Sequence, residues 1–331
     1  MATHHILKMA ALGLAGLGFT VAASAAPAAA AAGVPESQDP IKLAINEWTG
    51  QHITTHIAGE ILERMGYRVA YRAVDYLPQF RALANGQLTA SLEIWSTNVG
   101  EEYEMARATG GVERIGDLGV DTKEGWVYPK YMEATCPGLP DWTALLKCAE
   151  LLSTPETFPD GRIIVFPADW EGRSAAIIEA LQLPYVAVPA GGGPAPLVTA
   201  LKRAMAREDP LVMMFWSPHW VLAEVDVGWV QLPKYEPACL EDASWGPNPD
   251  ATGDCGVDTA ITFKVAWSGM KDKWPAAYGF LEGFRLDDED QIPMMAAIDL
   301  RGEDLVAVTK KWVDDNEAKW RPMVEAALAG D

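Results

Sequence analysis

Short apolar segments alternate with longer amphipathic segments along most of the chain after residue 40. Residues 41–45 form a short apolar strand, and Ile53, Ile57 and Ile61 then recur at helical spacing before Gly66. This pattern predicts a strand followed by a helix that ends near Met65. The rest of this first block predicts a strand at 67–74, a helix at 78–86, a strand at 88–95 and a helix from about 99.

A second block of the same kind occupies about 160–225. It predicts strands at 162–166, 185–188 and 211–215, helices at 173–183 and 196–207, and a further helix from about 217. Two helices, near 274–285 and 303–328, are predicted for the end of the chain.

Two blocks of alternating strands and helices predict an α/β protein with two lobes. Each lobe is expected to be a mostly parallel sheet with flanking helices. We assign residues 40–126 and 232–331 to lobe I and residues 127–231 to lobe II. In such sheets a ligand binds beyond the carboxyl ends of the strands, so the site is expected in the cleft between the lobes.

The first 30 residues have the order of a secretory signal peptide. A weakly basic start with Lys8 precedes a short apolar run at 9–21, and Ala23-Ser24-Ala25 matches an A-x-A cleavage site. The apolar run is too short and too rich in glycine to span a membrane well. We therefore expect cleavage near Ala25 and a soluble protein in the periplasm.

The net charge of −20 argues against nucleic acid as a partner. It favours a cationic or zwitterionic solute, although a solvated acidic surface explains the charge equally well. No nucleophile has an evident base beside it, so we predict no catalytic residues and no enzyme activity. We expect the protein to be a monomer.

Four cysteines form two pairs that are close in the sequence. An even number of cysteines in an exported chain favours disulfides, here Cys136–Cys148 and Cys239–Cys255. Neither pair has the C-x-x-C spacing of zinc or redox sites.

Four of the 13 tryptophans, namely Trp48, Trp95, Trp170 and Trp216, occupy equivalent places at or just after the end of a predicted strand. Any one of them could belong to a core. Four at equivalent strand ends are expected to meet in the cleft between the lobes. Tryptophan faces suit a trimethylammonium group, because that group has no N–H to donate and binds through dispersion and cation–π attraction.

Three segments carry a resemblance to a known family: LEIW at 92–95, FPADWEG at 166–172 and MFWSPHW at 214–220. They resemble the tryptophan motifs of the glycine betaine-binding (OpuAC-type) proteins, in order and spacing, from about Ile41 to Trp320. The resemblance implies a two-lobed periplasmic binding protein of type II that serves an ABC permease and closes on its ligand. It also implies that Trp95, Trp170 and Trp216 surround the methylated nitrogen.

The segment 126–133, with Cys136 and Trp142 after it, is similar to the trimethylamine N-oxide branch of that family. The resemblance therefore favours trimethylamine N-oxide as ligand, with Trp48 as a fourth wall and Trp142 as a further binding residue. Glu133 follows the segment 126–131, which is expected to cross between the lobes. We therefore expect it to reach the cleft and to share a proton with the N-oxide oxygen. A surface glutamate is the alternative. Glycine betaine, choline and dimethylsulfoniopropionate remain alternatives, as does an enzyme acting on methylated amines.

Residues 248–254 place oxygen-bearing side chains at every second position, with glycine sixth, as in a calcium loop. The ligands would be Asn248, Asp250, Thr252 and Asp254. Position twelve is Thr259 rather than glutamate, so the loop is not an EF-hand. A solvated Asx turn inside the Cys239–Cys255 loop is the alternative, and no other cofactor is expected.

Overall fold

The structure is a computed structural model that describes residues 33–170 and 172–330. The predicted signal peptide lies outside these residues. Within the described part of the chain, no helix has both the length and the apolar character needed to cross a membrane.

The described chain contains two five-stranded sheets. In chain order the strands are β1 (Ile41–Ile45), β2 (Val69–Ala73), β3 (Ala90–Trp95), β4 (Val112–Asp121), β5 (Lys123–Pro129), β6 (Pro137–Pro140), β7 (Gly161–Val165), β8 (Tyr185–Pro189), β9 (Met213–Ser217), β10 (Val227–Trp229) and β11 (Ile261–Trp267). The first sheet has the order β2-β1-β3-β11-β4, and the second has the order β10-β5-β9-β7-β8.

Both sheets are mixed, with four of the five strands running in one direction and one strand running against them. In the first sheet β1 is parallel to β2 and β3, while β11 is antiparallel to β3 and β4. In the second sheet β7 is parallel to β8 and β9, whereas β5 is antiparallel to β9 and β10. The parallel strands are those of the two predicted blocks. The antiparallel strand is β11 in the first sheet and β5 in the second sheet. Each of them is the first strand of its sheet after the chain crosses from the other sheet.

Helices cover the sheets. In chain order they are α1 (Thr49–Arg64), α2 (Pro78–Ala84), α3 (Gly100–Ala108), α4 (Met132–Thr135), α5 (Ser174–Ala180), α6 (Ala195–Arg207), α7 (Met270–Lys273), α8 (Pro275–Gly283), α9 (Asp288–Met295), α10 (Leu305–Asp315) and α11 (Glu317–Ala329). In α1, Ile53, Ile57 and Ile61 are fully buried, as their spacing predicts. The helix predicted from 217 is only a short 3₁₀ turn, Trp220–Ala223, and β10 begins soon after it at Val227.

The chain crosses between the sheets twice. The first crossing is at Thr122, since β4 ends at Asp121 and β5 begins at Lys123. The return crossing lies in the long segment between β10 and β11. Disulfides join Cys136 to Cys148 and Cys239 to Cys255, which confirms the predicted pairing. Buried apolar side chains of both sheets belong to one continuous cluster.

Candidate functional site

The four strand-end tryptophans lie at one place in the molecule. Trp48 follows β1, Trp95 ends β3, Trp170 ends a 3₁₀ turn after β7, and Trp216 lies in β9. The carboxyl ends of parallel strands meet at one edge of a sheet. The two edges face each other, since the rings of Trp48 and Trp170 lie 5.7 Å apart between centroids.

These tryptophans line one cavity, whose empty space, counted together with the solvent at its mouth, is about 320 Å³. Six aromatic rings, one amide and one carboxyl surround it: Trp48, Tyr76, Trp95, Asn98, Glu124, Phe166, Trp170 and Trp216. Tyr76 was missed by the sequence analysis, although it follows β2 in the same position relative to a strand as Trp48. Phe166 begins the FPADWEG segment at 166–172, but it was not predicted to belong to the site.

A polar network holds the tryptophans of the first sheet. Glu93, on β3, is 1% exposed. Its Oε1 accepts hydrogen bonds from Trp48 Nε1 (2.6 Å) and Trp95 Nε1 (3.3 Å), and its Oε2 accepts from Thr54 Oγ1 (2.9 Å) and Gln291 Nε2 (2.9 Å). Burial raises the pKa of Glu93, and these four hydrogen bonds oppose the rise.

Ring contacts hold the aromatic side chains of the second sheet. The centroids of Phe166, Trp170 and Trp216 lie 5.6 to 5.8 Å from one another, in tilted and edge-to-face arrangements. Phe215 stacks on Trp216 at 4.7 Å. Such contacts contribute about 0.5–1.5 kcal/mol each beyond burial of area. In addition, Trp170 Nε1 donates to Glu47 Oε2 at 2.8 Å.

Among the described residues that line the cavity, Glu124 is the one with a carboxyl group. It lies near the start of β5, opposite Trp216 in the strand register. Burial raises its pKa to about 7. The Thr97 hydroxyl, which has one hydrogen, is hydrogen-bonded both to Asn98 Oδ1 and to the Glu124 carboxyl. A proton on Glu124 satisfies both of these contacts, so the neutral carboxylic acid fits this environment.

Glu133 and Trp142 are not among the residues that line this cavity. Glu133 is exposed on α4, where it accepts a hydrogen bond from the Tyr128 hydroxyl at 3.0 Å. The reason is the direction of β5, which begins beside the cavity and leads away from it. At about 3.3 Å per residue, about 17 Å of strand separates Glu124 from Pro129. Trp142 follows β6, and its backbone N–H donates to Gln231.

The loop 248–254 is organised by its own polar groups. Asn248 Oδ1 accepts from the Asp250 N–H at 3.1 Å, which is an Asx turn, and Asn248 Nδ2 donates to the Ala180 carbonyl at 2.6 Å. Thr252 is exposed. Asp254 is fully buried, and its Oδ2 accepts from the Asn248 N–H at 2.6 Å.

The other oxygen of Asp254, Oδ1, has no hydrogen-bond partner among the described residues. In the same part of the chain, no group of three or more histidine, cysteine, aspartate and glutamate side chains is arranged to hold a metal ion. Calcium in this loop would therefore need amide, hydroxyl or carbonyl oxygens besides the carboxylates of Asp250 and Asp254.

Comparison with known proteins gives matches over most of the chain. A family model described as the substrate-binding domain of the ABC-type glycine betaine transport system matches residues 39–315. A trimethylamine N-oxide-binding protein from Pelagibacter ubique (strain HTCC1062) is 27% identical over 296 residues, which cover 88% of this chain and 92% of that protein.

Two solved structures have the same fold. Lactococcal OpuAC, in its closed-liganded conformation with glycine betaine, has a TM-score of 0.63 at 19% identity, covering 88% of this chain and 100% of that one. An ABC-transporter choline-binding protein in complex with choline has a TM-score of 0.69 at 18% identity, covering 89% and 98%. These similarities confirm the predicted two-lobed, type II periplasmic binding protein fold.

Proposed function

Because the chain belongs to the family of substrate-binding domains of ABC-type glycine betaine transport systems, we propose that it captures trimethylamine N-oxide between its two lobes. The observation that carries this proposal is the cavity lined by six aromatic rings and the carboxyl group of Glu124. Choline, glycine betaine and dimethylsulfoniopropionate are the alternative ligands of the same site.

The aromatic rings that line the cavity, here called the aromatic cage, suit the methyl groups of trimethylamine N-oxide. A quaternary nitrogen cannot donate a hydrogen bond, so the tryptophan faces bind it by removing methyl surface from water and by cation–π attraction. Trp48 and Trp95 approach from the first sheet, and Trp170 and Trp216 approach from the second sheet. Each lobe supplies part of the cage, so a ligand that contacts all four rings favours the closed arrangement of the lobes.

Glu124 suits the oxygen end of an N-oxide. That oxygen is a strong acceptor bonded directly to nitrogen, and a neutral carboxylic acid beside it can donate a short hydrogen bond. The pKa of Glu124, raised to about 7, leaves part of this group protonated at neutral pH. The carboxylate of glycine betaine would meet the same group with repulsion whenever Glu124 is ionised. Glu124 thus takes the role that the sequence analysis gave to Glu133.

The protein would act as a monomer in the periplasm, exported by its N-terminal signal peptide, and would pass the solute to an ABC permease. We expect binding without turnover. The Pelagibacter relative supports the choice of ligand, because its similarity covers both lobes.

Isothermal titration calorimetry against trimethylamine N-oxide, glycine betaine, choline and dimethylsulfoniopropionate tests the proposal. We expect the N-oxide to bind most tightly and to be recovered unchanged. Conversion of any of these solutes to a product would overturn the binding function. Tighter binding of glycine betaine than of the N-oxide would overturn the choice of ligand.

A matched pair of variants tests the carboxyl group. Glu124→Gln should weaken N-oxide binding about tenfold, the effect of replacing a charge-assisted hydrogen bond by a neutral one, while sparing or improving glycine betaine. Glu133→Gln is the control, because Glu133 is exposed and outside the cavity lining. Equal N-oxide affinity in wild type and Glu124→Gln would remove Glu124 from recognition.

A further inference from the structure

Three indole N–H groups of the cavity are bound by carboxyl groups that do not themselves face the cavity. Trp48 and Trp95 both donate to Glu93, and Trp170 donates to Glu47. Neither glutamate is among the residues lining the cavity. Carboxyl groups therefore lie behind the aromatic faces, at the N–H edges of the rings.

The hydrogen-bond partners of Glu93 favour its ionised form and oppose the effect of burial, which raises its pKa. Its oxygens receive four hydrogen bonds, and three of the partners are N–H groups, which can only donate. The Gln291 amide is oriented by a second hydrogen bond, from Nε2 to the Gly50 carbonyl at 3.2 Å. The fourth partner is the Thr54 hydroxyl, which donates its single hydrogen to Glu93 Oε2 at 2.9 Å.

In the part of the chain that the structure describes, no positive side chain neutralises this carboxylate. Among the described residues, Glu93 forms no salt bridge with lysine, arginine or histidine. It is 1% exposed, so water screens it little. A buried, hydrogen-bonded and unpaired negative charge next to an aromatic cavity is an arrangement that attracts a cation.

We propose that Glu93 is an ionised positioning residue that orients Trp48 and Trp95 and makes their ring faces more attractive to a positive nitrogen. This inference rests on the proposed function. An indole that donates its N–H to an anion carries more electron density on its face, and the buried charge also attracts a cation directly. The expected consequence is a preference for charged ligands over uncharged ligands of the same shape.

Choline and its carbon isostere, 3,3-dimethylbutan-1-ol, test this consequence, because they differ in charge and hardly in shape. Affinities are measured for both by quenching of tryptophan fluorescence, the alcohol in competition with choline. Wild type should bind choline more tightly than the alcohol. In Glu93→Gln, we expect choline affinity to fall about 10- to 100-fold and alcohol affinity to fall less than about threefold.

Glu47→Gln is the matched control, since Glu47 also accepts an indole N–H but is only half-buried. Solvent screening should keep its effect small and equal for both ligands. The role of charge would be overturned if Glu93→Gln lost the same affinity for both ligands. It would also be overturned if wild type did not prefer choline to the alcohol. Failure of wild type to bind any methylated amine would instead overturn the proposed function.

A second measurement leaves Glu93 unchanged, so it does not depend on whether a Glu93 variant folds. In Glu124→Gln, which lacks the other buried carboxyl of the site, the indole Nε1–H resonances of Trp48 and Trp95 are followed by NMR from about pH 5.5 to 8. An ionised Glu93 predicts that both resonances keep their positions. A shared transition within this range would show a carboxyl that gains a proton, and would overturn the inference.

Discussion

The two halves of the aromatic cage are built in different ways. In the first half, Trp48 and Trp95 are held by hydrogen bonds to a single buried carboxyl group, Glu93. In the second half, Phe166, Trp170 and Trp216 are held mainly by contacts with one another. The first half thus depends on one residue, whereas the second half spreads its support over several rings.

This difference has a consequence for substitutions. Removing one donor or acceptor from a buried network leaves the remaining groups unsatisfied, at about 1–3 kcal/mol for each group. Removing one ring contact from a packed cluster loses a smaller and more local amount. We therefore expect the first half to tolerate conservative changes less well than the second.

The largest expected effects are on the tryptophans themselves. Trp95→Ala and Trp216→Ala should each weaken binding of trimethylamine N-oxide by about 1–3 kcal/mol, because a whole aromatic wall is lost. Calorimetry measures the loss, and circular dichroism shows that the fold is retained. Normal binding by both variants would mean that the cage lies elsewhere.

Phenylalanine at the same positions sharpens the comparison. Trp95→Phe removes a hydrogen bond to Glu93, whereas the Trp216 indole has no hydrogen-bond partner among the described residues. Trp95→Phe should therefore lose about 1 kcal/mol more than Trp216→Phe, both in binding and in stability. Equal losses would contradict the distinction between the two halves.

The next effect concerns pH and Glu124, which lies between the two halves. Its pKa is raised to about 7, so it loses its proton as the pH rises from 6 to 8. A ligand that accepts this proton should bind about tenfold more weakly at about pH 8 than at about pH 6. Choline, which lacks an N-oxide oxygen, should bind more tightly at the higher pH. Calorimetry at both values checks the two opposite trends.

Glu124→Gln should abolish both trends and change stability in a defined direction. A carboxyl whose pKa rises from 4.5 to about 7 on folding favours the folded state fully below pH 4.5, and this contribution is lost as the pH rises to 7. Relative to wild type, Glu124→Gln should therefore be more stable at pH 8 by about 2–3 kcal/mol. A pH profile of affinity that persists in this variant would point to another titrating group.

The smallest effect is expected at the loop 248–254, which hydrogen-bonds to the Ala180 carbonyl at the end of α5. We propose that calcium binds this loop through Asp250 and Asp254. Chelation should then lower the melting temperature by a few degrees, and added calcium should restore it. Ligand affinity should change less than stability. If the chelator does not change the melting curve, the loop is an Asx turn without calcium.

Much of the site was predictable because tryptophans mark the ends of strands that a short apolar pattern already reveals. Trp48, Trp95, Trp170 and Trp216 follow from that rule, and Tyr76 obeys it as well. Glu124 was not predictable, because β5 carries no clear alternation and a charged residue in such a strand is usually exposed. Glu133 was chosen instead because it follows a segment expected to cross between the lobes, and only the three-dimensional structure gives the direction of that segment.

The place of strand β11 in the first sheet could not be predicted from the sequence pattern either. Strand β11 contains a fully buried lysine, Lys264, whose amine donates to the Glu282 and Phe284 carbonyls. A charged residue at its centre makes the strand resemble a surface segment. Pairing between β11, β3 and β4 joins parts of the chain that are far apart in sequence, and periodicity carries no information about such pairing.

The hydrogen bond from Trp170 to Glu47 joins residues that belong to different sheets, and its consequence concerns rates. A solute leaves such a cavity only after the two lobes separate, and their separation breaks this bond. A bond of about 1 kcal/mol slows opening about fivefold. Glu47 would therefore lengthen the time for which a captured solute stays bound, and Glu47→Ala, which removes the acceptor, would shorten it without removing any wall of the cage.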